Sequence, residues 1–254
     1  MNKQKGFSLI EIMISLVLGL IVIGGALSIY ISSVSSSSDT IKSSRLNYDL
    51  DMVMQIMLND IRRAGYWGGA ADGVANLNPF TNANAGAGAI TNINIPNASC
   101  ILYSYDADGS SLLDDLTGGG DSREVYGFKL DNNSIQIRTS GAVTNDCSDG
   151  NWENFIDENK LTITNLQFSF ESIDALANGS SRCWNQTQKE SDDVDALICT
   201  TNAVNGDFII QNRMVNIKLS GEVKSDGDVE KNLSGTVEIR NNRICQRSAA
   251  ENCP

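Results

Sequence analysis

The stretch GFSLIE at residues 6–11 decides the fold, because it opens a run that stays almost wholly apolar from residue 7 to residue 31. A helix over residues 12–31 would be roughly 30 Å long at about 1.5 Å per residue, which matches the hydrocarbon thickness of a bilayer. Lys3 and Lys5 precede the run, and no acidic residue accompanies them. We therefore predict a membrane-spanning helix with its N-terminus in the cytoplasm and the rest of the chain exported.

Glu11 is the unusual residue of this run. An ordinary secretory signal is the alternative interpretation, but its apolar region covers about 7–15 residues and ends at a small-x-small cleavage site. Here the run is longer and carries a carboxylate near its beginning. An ionised side chain costs about 2.5–3.5 kcal/mol at the centre of a membrane helix, and less near its edge. We expect an interaction that offsets this cost.

Residues 6–11 resemble the type III signal of prepilins, in which a short basic leader and a glycine precede a phenylalanine, with a glutamate four residues further on. The resemblance implies that a prepilin peptidase cuts between Gly6 and Phe7 and that Phe7 is then N-methylated. It also implies that Glu11, the fifth residue of the mature chain, meets the positive N-terminal amine of a neighbouring subunit. When two opposite charges pair inside a low-dielectric helix bundle, their attraction offsets the free energy that each loses on desolvation.

A second helical pattern follows the serine-rich residues 32–38. Its apolar side chains recur at steps of three to five residues, as in an amphipathic helix. They are Ile41, Leu46, Leu50, Val53, Met57, Ile61 and Ala64. The two segments predict one long helix that ends at Gly65, a natural C-cap position. Arg62 and Arg63 fall in its last turn, where cations complement the helix dipole.

The remainder, residues 66–254, predicts a head that contains antiparallel strands. Residues 124–130 and 134–139 flank a DNN turn and predict a hairpin, and residues 161–170 alternate as a further strand. Residues 68–96 are rich in Gly, Ala and Asn, which favours a long surface loop.

A second hairpin is predicted from residues 215–223 and 233–239, with its turn at Asp226-Gly227. Each strand carries its apolar residues on one face, and we expect that face to pack on the amphipathic helix. A helix laid across an antiparallel sheet makes an α+β domain.

Two further stretches resemble a narrower group. DIRRAGYWG at residues 60–68 is similar to the helix-to-head junction of PilW-like minor pilins and of the related J-type pseudopilins of type II secretion. TVEIRN at residues 236–241 is similar to their closing strand. The resemblance implies a type IV pilin fold. Its segments would be a leader (1–6), an N-terminal helix (7–65, transmembrane at 7–31 and amphipathic at 39–65) and a globular head (66–254).

The six cysteines all lie after residue 99, and none forms a CxxC pair of the zinc or redox type. They are Cys100, Cys147, Cys183, Cys199, Cys245 and Cys253. An even set beyond a membrane segment indicates disulfides made in an oxidising compartment, with buried free thiols as the alternative. Six cysteines allow about fifteen pairings. Proximity along the chain favours Cys100–Cys147, Cys183–Cys199 and Cys245–Cys253.

Composition argues against several classes of function. The net charge of -12 repels nucleic acid and anionic lipid surfaces. The chain contains no histidine, which removes the commonest general base, the commonest metal ligand and every Ser-His or Cys-His nucleophile arrangement. We therefore expect a protein that is not an enzyme and has no catalytic residues and no cofactor.

Two charged clusters are candidate ligand sites. The DADGS stretch at residues 106–110, followed by Asp114 and Asp115, is similar to a calcium loop of oxygen ligands. However, the positions that require a glycine and a bidentate glutamate hold Ser111 and Thr117, so we predict a solvated acidic turn and no metal.

The basic cluster consists of Arg240, Arg243 and Arg247. Such a patch could bind DNA in a DNA-uptake pilin. Hydrogen bonding to the carboxylates of the head is the alternative that we favour, so no nucleic-acid partner is expected.

The resemblance implies a minor pilin that helps to prime assembly of a type IV pilus and lies at or near its tip. Its partners would be other minor pilins, the major pilin, the prepilin peptidase and a candidate tip adhesin. It would be a single-pass protein of the inner membrane of a Gram-negative bacterium before it enters the pilus at the cell surface. A minor pseudopilin of type II secretion and an adhesive or DNA-binding pilin are the alternatives.

Overall fold

The computed structural model describes residues 6–68, 80, 93–110, 123–171, 182–187 and 204–246, except the side chains of residues 182, 183 and 243–246. The chain divides into two compact units, residues 1–45 and residues 46–254.

Helix α1 (Leu9–Ile61) is continuous, as the sequence predicts. The serine-rich residues 32–38 are helical as well, although serine has only a modest helix propensity. Within the first unit the apolar side chains of the helix are exposed: Leu9 is 76% exposed and Val22 is 70% exposed. This surface therefore needs an apolar environment outside the described chain.

The described part of the second unit contains eleven strands. They are β1 (Ile93–Asn97), β2 (Cys100–Ser104), β3 (Val125–Asp131), β4 (Ser134–Ser140), β5 (Asn151–Asn154), β6 (Leu161–Phe170), β7 (Arg182–Asn185), β8 (Phe208–Asn212), β9 (Met214–Val223), β10 (Asp226–Glu238) and β11 (Arg243–Gln246). They form one five-stranded sheet in the order β1-β2-β3-β4-β5 and two three-stranded sheets in the orders β10-β9-β6 and β11-β8-β7.

Both predicted hairpins are confirmed. In the first, β3 pairs with β4 across Asn132 and Asn133, which have φ angles of 49° and 62°. Two consecutive positive φ angles are those of a type I′ turn, in which asparagine is favoured. In the second, β9 pairs with β10 from Leu219 opposite Leu233 to Val215 opposite Val237.

The C-terminal part of α1 packs on the β10-β9-β6 sheet. Leu50 and Met57 on the helix are fully buried, as are Ile217 and Leu219 on β9. The approach is close because a Cβ atom added at Gly235 on β10 would lie only 3.1 Å from Sδ of Met54. This packing confirms the predicted α+β arrangement of one long helix on antiparallel sheets.

Two local predictions about turns and loops are wrong. The turn of the second hairpin lies at Lys224-Ser225 and not at Asp226-Gly227, because Asp226 already pairs with Val223 and a bulge before Glu230 takes up the extra residues. Residues 93–96 of the predicted surface loop belong to β1. Proline is tolerated there because β1 is an edge strand.

The helix ends four residues before the predicted Gly65. After Ile61 the chain continues in turns to Gly65, whose φ of 74° lies in the left-handed region. The amide of Asn241 donates hydrogen bonds to the carbonyls of Arg63 at 3.3 Å and Ala64 at 3.1 Å. The bond to Ala64 satisfies a carbonyl near the helix end, while the Arg63 carbonyl also accepts the N–H of Tyr66 at 2.9 Å.

Candidate membrane-anchor and assembly site

The predicted processing site lies in an exposed segment ahead of α1. Gly6, Phe7 and Ser8 precede the helix, and no other atom lies within 4 Å of the position that a Cβ of Gly6 would occupy. The side chain of Phe7 is 86% exposed. A non-helical and exposed segment is the form in which a peptidase can reach a peptide bond.

Glu11 lies in the first turn of α1 and makes a capping contact there. Its Oε2 atom accepts a hydrogen bond of 2.9 Å from the backbone N–H of Ser8, the residue before the helix. The backbone N–H of Glu11 in turn donates to the carbonyl of Ser8 at 3.1 Å. Sequence reasoning missed this role, although S-x-x-E ahead of an apolar run is the signature of a capping box.

The apolar run after Glu11 matches a membrane anchor. By length and composition, α1 is long and apolar enough to cross a membrane. Its window of highest hydropathy has no residue buried inside the protein. The exposed surface of residues 7–31 can therefore be covered by lipid or by other helices, and the described head has its own separate core.

A tyrosine cluster fastens the end of α1 to the first sheet. The carboxylate of Asp60 accepts a hydrogen bond of 2.9 Å from the Tyr105 hydroxyl and a further one from the Tyr103 hydroxyl. The ring of Tyr105 stacks on Tyr126, with centroids 4.2 Å apart, and the Arg63 guanidinium lies 4.2 Å from the Tyr105 centroid. Burial is the larger cause that raises the pKa of Tyr103 and Tyr105, and the negative charge of Asp60 raises it further.

Glu124 lies beside the acidic stretch at residues 106–110, a proximity that the sequence did not predict. Carboxylate oxygens of Asp106, Asp108 and Glu124 lie within 4.8 Å of one another, a spacing that could hold a cation. The same carboxylates also accept backbone hydrogen bonds, including Gly68 N–H to Asp106 Oδ2 at 2.8 Å and Ala107 N–H to Glu124 Oε1 at 3.0 Å. The structure thus brings Asp106 and Asp108 together, while residues 114 and 115 lie outside the described residues.

One predicted disulfide is present. Cys100 at the start of β2 is bonded to Cys147, with their Cα atoms 6.5 Å apart. Cys183 and Cys245 belong to β7 and β11, which lie on either side of β8, but their side chains are not described. Cys199 and Cys253 lie outside the described residues. The other two pairings therefore stay predictions.

The predicted basic cluster is described only in part. Arg240 is exposed, whereas the side chain of Arg243 and all of residue 247 lie outside the described part. The backbone N–H of Arg240 donates to the carbonyl of Arg62 at 3.2 Å. The structure therefore joins two arginines that the sequence placed in separate elements.

Comparison with known families decides the identity of the chain. Residues 39–239, well over half of the chain, match the family described as prepilin peptidase-dependent protein B. The chain belongs to the prepilin peptidase-dependent protein B family. Residues 1–27 match the prokaryotic N-terminal methylation motif. No curated protein and no solved structure gives a significant match to the chain.

This membership confirms the resemblance to type IV pilin-like minor pilins, although it does not single out the PilW-like group. The protein is a prepilin peptidase-dependent, minor pilin-like protein, and both family matches indicate a structural role. The methylation motif and the apolar helix together indicate membrane anchoring and association with a pilus.

Proposed function

We propose that this protein is a minor pilin that primes assembly of a type IV pilus and lies at or near its tip. The observation that carries the proposal is the exposed apolar surface of α1, with Glu11 in its first turn, beside the methylation motif. Such a surface is stable in lipid, and it is equally stable against the apolar helices of other subunits. Other minor pilins and the major pilin are the partners that fit it.

Processing follows from the same segment. The leader (1–6) is removed between Gly6 and Phe7, and the amine of Phe7 is methylated. The mature chain then consists of the N-terminal helix (7–65) and the head (66–254). The exposed segment before α1 supports this proposal because the peptidase requires access to the backbone.

The protein resides first in the inner membrane, spanning it once with the N-terminus in the cytoplasm. Lys3 and Lys5 favour that orientation. The Cys100–Cys147 disulfide supports an exported head, because such bonds form and persist in oxidising compartments. The periplasm of a Gram-negative bacterium provides these conditions, and the pilus then carries the head to the cell surface.

Deletion of the gene tests the proposal. We expect loss of surface pili, intact secretion of exoproteins and recovery of pili when the wild-type protein is supplied at its normal level. Blocked secretion with normal pili would assign the protein to type II secretion instead. Normal pili that no longer adhere or take up DNA would contradict a priming role and favour an adhesive or DNA-binding pilin.

A further inference from the structure

A polar cavity of about 340 Å³ lies in the second unit beside the end of α1. Its lining residues come from the turn after α1, from β8, from β10 and from the connection to β11. They are Arg62, Asn212, Glu238, Ile239, Arg240 and Asn242. Two arginines, two asparagines and one glutamate are therefore among the six lining residues.

The two guanidinium groups have no protein partner in the described part of the chain. By contrast, Arg138 meets the carboxylate of Asp149 and Arg63 meets that of Asp60. In the cavity, Arg62 and Arg240 are joined only through the backbone hydrogen bond of 3.2 Å. The carboxylate of Glu238 accepts a hydrogen bond of 2.5 Å from the Asn212 amide. The two cations are thus available to an external acceptor.

Capping of the helix does not account for these arginines. The carbonyls of residues 63 and 64 accept hydrogen bonds from Asn241, and the carbonyl of Arg62 accepts one from the N–H of Arg240. The backbone carbonyls of residues 62–64, just after α1, are therefore satisfied without either guanidinium. Favourable interaction with the helix dipole requires charge near this end but does not require two arginines around a cavity.

Hydrogen bonds of the buried Arg213, the chain neighbour of Asn212, hold part of the cavity lining in place. Arg213 is only 5% exposed, and its Nη2 atom donates to the carbonyl of Asn241 at 3.3 Å. The N–H of Ile239 donates to the carbonyl of Arg213 at 3.0 Å. A wall that is ordered before binding reduces the entropy lost when a partner docks.

We propose that this cavity receives a carboxylate side chain from an acidic segment of a neighbouring pilin subunit. Guanidinium groups match carboxylates in a bidentate geometry, and arginine is favoured where such recognition occurs. The chain has a net charge of -12, so a local pair of cations is a distinctive site that steers and orients an acidic partner. The inference rests on the proposed function, because it takes the partner to be a subunit of the same filament.

The test is photo-crosslinking of the full-length protein in cells that assemble the filament. p-Benzoylphenylalanine replaces Asn242, which is exposed and lines the cavity. The control position is Asn232, which is exposed on β10 and does not line it. We expect Asn242 to give an adduct with an acidic peptide of another pilin, and we expect a different adduct pattern or none from Asn232.

Charge variants test whether Arg62 and Arg240 hold the partner. The double variant R62Q/R240Q should lower the Asn242 adduct by about tenfold or more, since 1.4 kcal/mol corresponds to a factor of ten and loss of a charged partner exceeds that value. R123Q removes an exposed arginine that does not line the cavity and should leave the adduct unchanged. Changing the crosslinked acid of the partner to lysine should restore the adduct in R62E/R240E.

Three results would overturn the inference. An adduct that R62Q/R240Q leaves unchanged would show that the arginines do not hold the partner. An adduct within the same chain would show that the protein fills its own cavity. Normal incorporation and no adduct at Asn242, in cells whose pili require this protein, would refute the docking site and leave the proposed function intact. Cells that make pili without the protein would refute the function itself.

Discussion

Asp60 accepts a hydrogen bond of 2.9 Å from the hydroxyl of Tyr105, and this bond joins the last turn of α1 to the segment that follows β2. Tyr103 on β2 donates to the same carboxylate and is fully buried. We therefore expect Asp60 to stabilise the head, because the hydroxyls of Tyr103 on β2 and of Tyr105 just after β2 both donate to its carboxylate.

Asp60→Ala should lower the free energy of unfolding by about 2–4 kcal/mol, because it leaves buried tyrosine hydroxyls without their acceptor. The thermal midpoint of the full-length protein in detergent micelles, followed by circular dichroism, checks this value. Asp51→Ala is the matched control on the same helix. Its carboxylate is 57% exposed and pairs with Lys231, so its loss should cost less than about 1 kcal/mol. Equal effects of the two changes would contradict the proposed role of Asp60.

The same cluster predicts a loss of stability at alkaline pH. Burial and then the charge of Asp60 raise the pKa of Tyr103 and Tyr105 above the ordinary value of 10.0. The folded head then retains protons that the unfolded chain releases, so this contribution is complete below about pH 10 and is lost as the pH rises further. The thermal midpoint should fall more steeply above about pH 10 in the wild type than in Y103F/Y105F. If the thermal midpoint fell with pH at the same rate in both proteins, these hydroxyls would not be responsible for the loss of stability.

Removing the disulfide should destabilise the head. Cys100 and Cys147 are separated by 47 residues, and closing a loop of this length restricts the unfolded chain. C100A/C147A should lower the free energy of unfolding by roughly 2–4 kcal/mol. Reductant should lower the thermal midpoint of the wild type. It should lower the thermal midpoint of C100A/C147A by a smaller amount. An unchanged midpoint in C100A/C147A would refute the expectation.

Gly150 and Gly206 offer a comparison between two glycines with positive φ. Their φ angles are 85° and 100°. A Cβ at Gly150 would lie 2.1 Å from the carbonyl oxygen of Ser140, whereas a Cβ at Gly206 would have no atom within 4 Å. Gly206→Ala should therefore cost about 1–2 kcal/mol from backbone strain alone. Gly150→Ala should cost about 1–3 kcal/mol more from overpacking, and similar thermal midpoints for the two variants would contradict this.

Local patterns in the sequence predicted the elements that have strong periodicity. The apolar run and the amphipathic repeat predicted α1, and alternation predicted the β3-β4 and β9-β10 hairpins. The Ser8–Glu11 capping contact was also readable, because its signal spans only four residues.

Contacts between distant residues could not be predicted in the same way. Asp60 meets Tyr103 and Tyr105 only because β2 lies beside the end of α1, and no spacing in the chain encodes that arrangement. Glu124 joins Asp106 for the same reason, because Glu124 directly precedes β3, the neighbour of β2. The turn of the second hairpin was misplaced because a bulge shifts the register after Asp226.

Glu11→Ala should separate insertion into the membrane from assembly into the filament. It removes a carboxylate that is costly within a bilayer, so the variant should be made and anchored as well as the wild type. In the filament, however, the amine of a neighbouring Phe7 would be buried without its counter-charge, a loss of roughly 3–5 kcal/mol. Fractionation of cells and sheared filaments at matched expression measures both steps. Equal amounts of variant and wild type in the filament fraction would show that Glu11 is not the docking group.

Glu11→Gln decides between the two roles that the carboxylate can have. In the structure, Glu11 accepts the N–H of Ser8 at 2.9 Å, so Glu11→Ala also removes a cap of α1 and its defect alone is ambiguous. Glutamine at this position keeps an oxygen that can accept that hydrogen bond, because a capping box takes either residue. It lacks the negative charge that we propose to pair with the amine of a neighbouring Phe7. Recovery of filament incorporation in Glu11→Gln would therefore assign the defect of Glu11→Ala to capping, whereas we expect both variants to stay in the membrane and to be excluded from the filament.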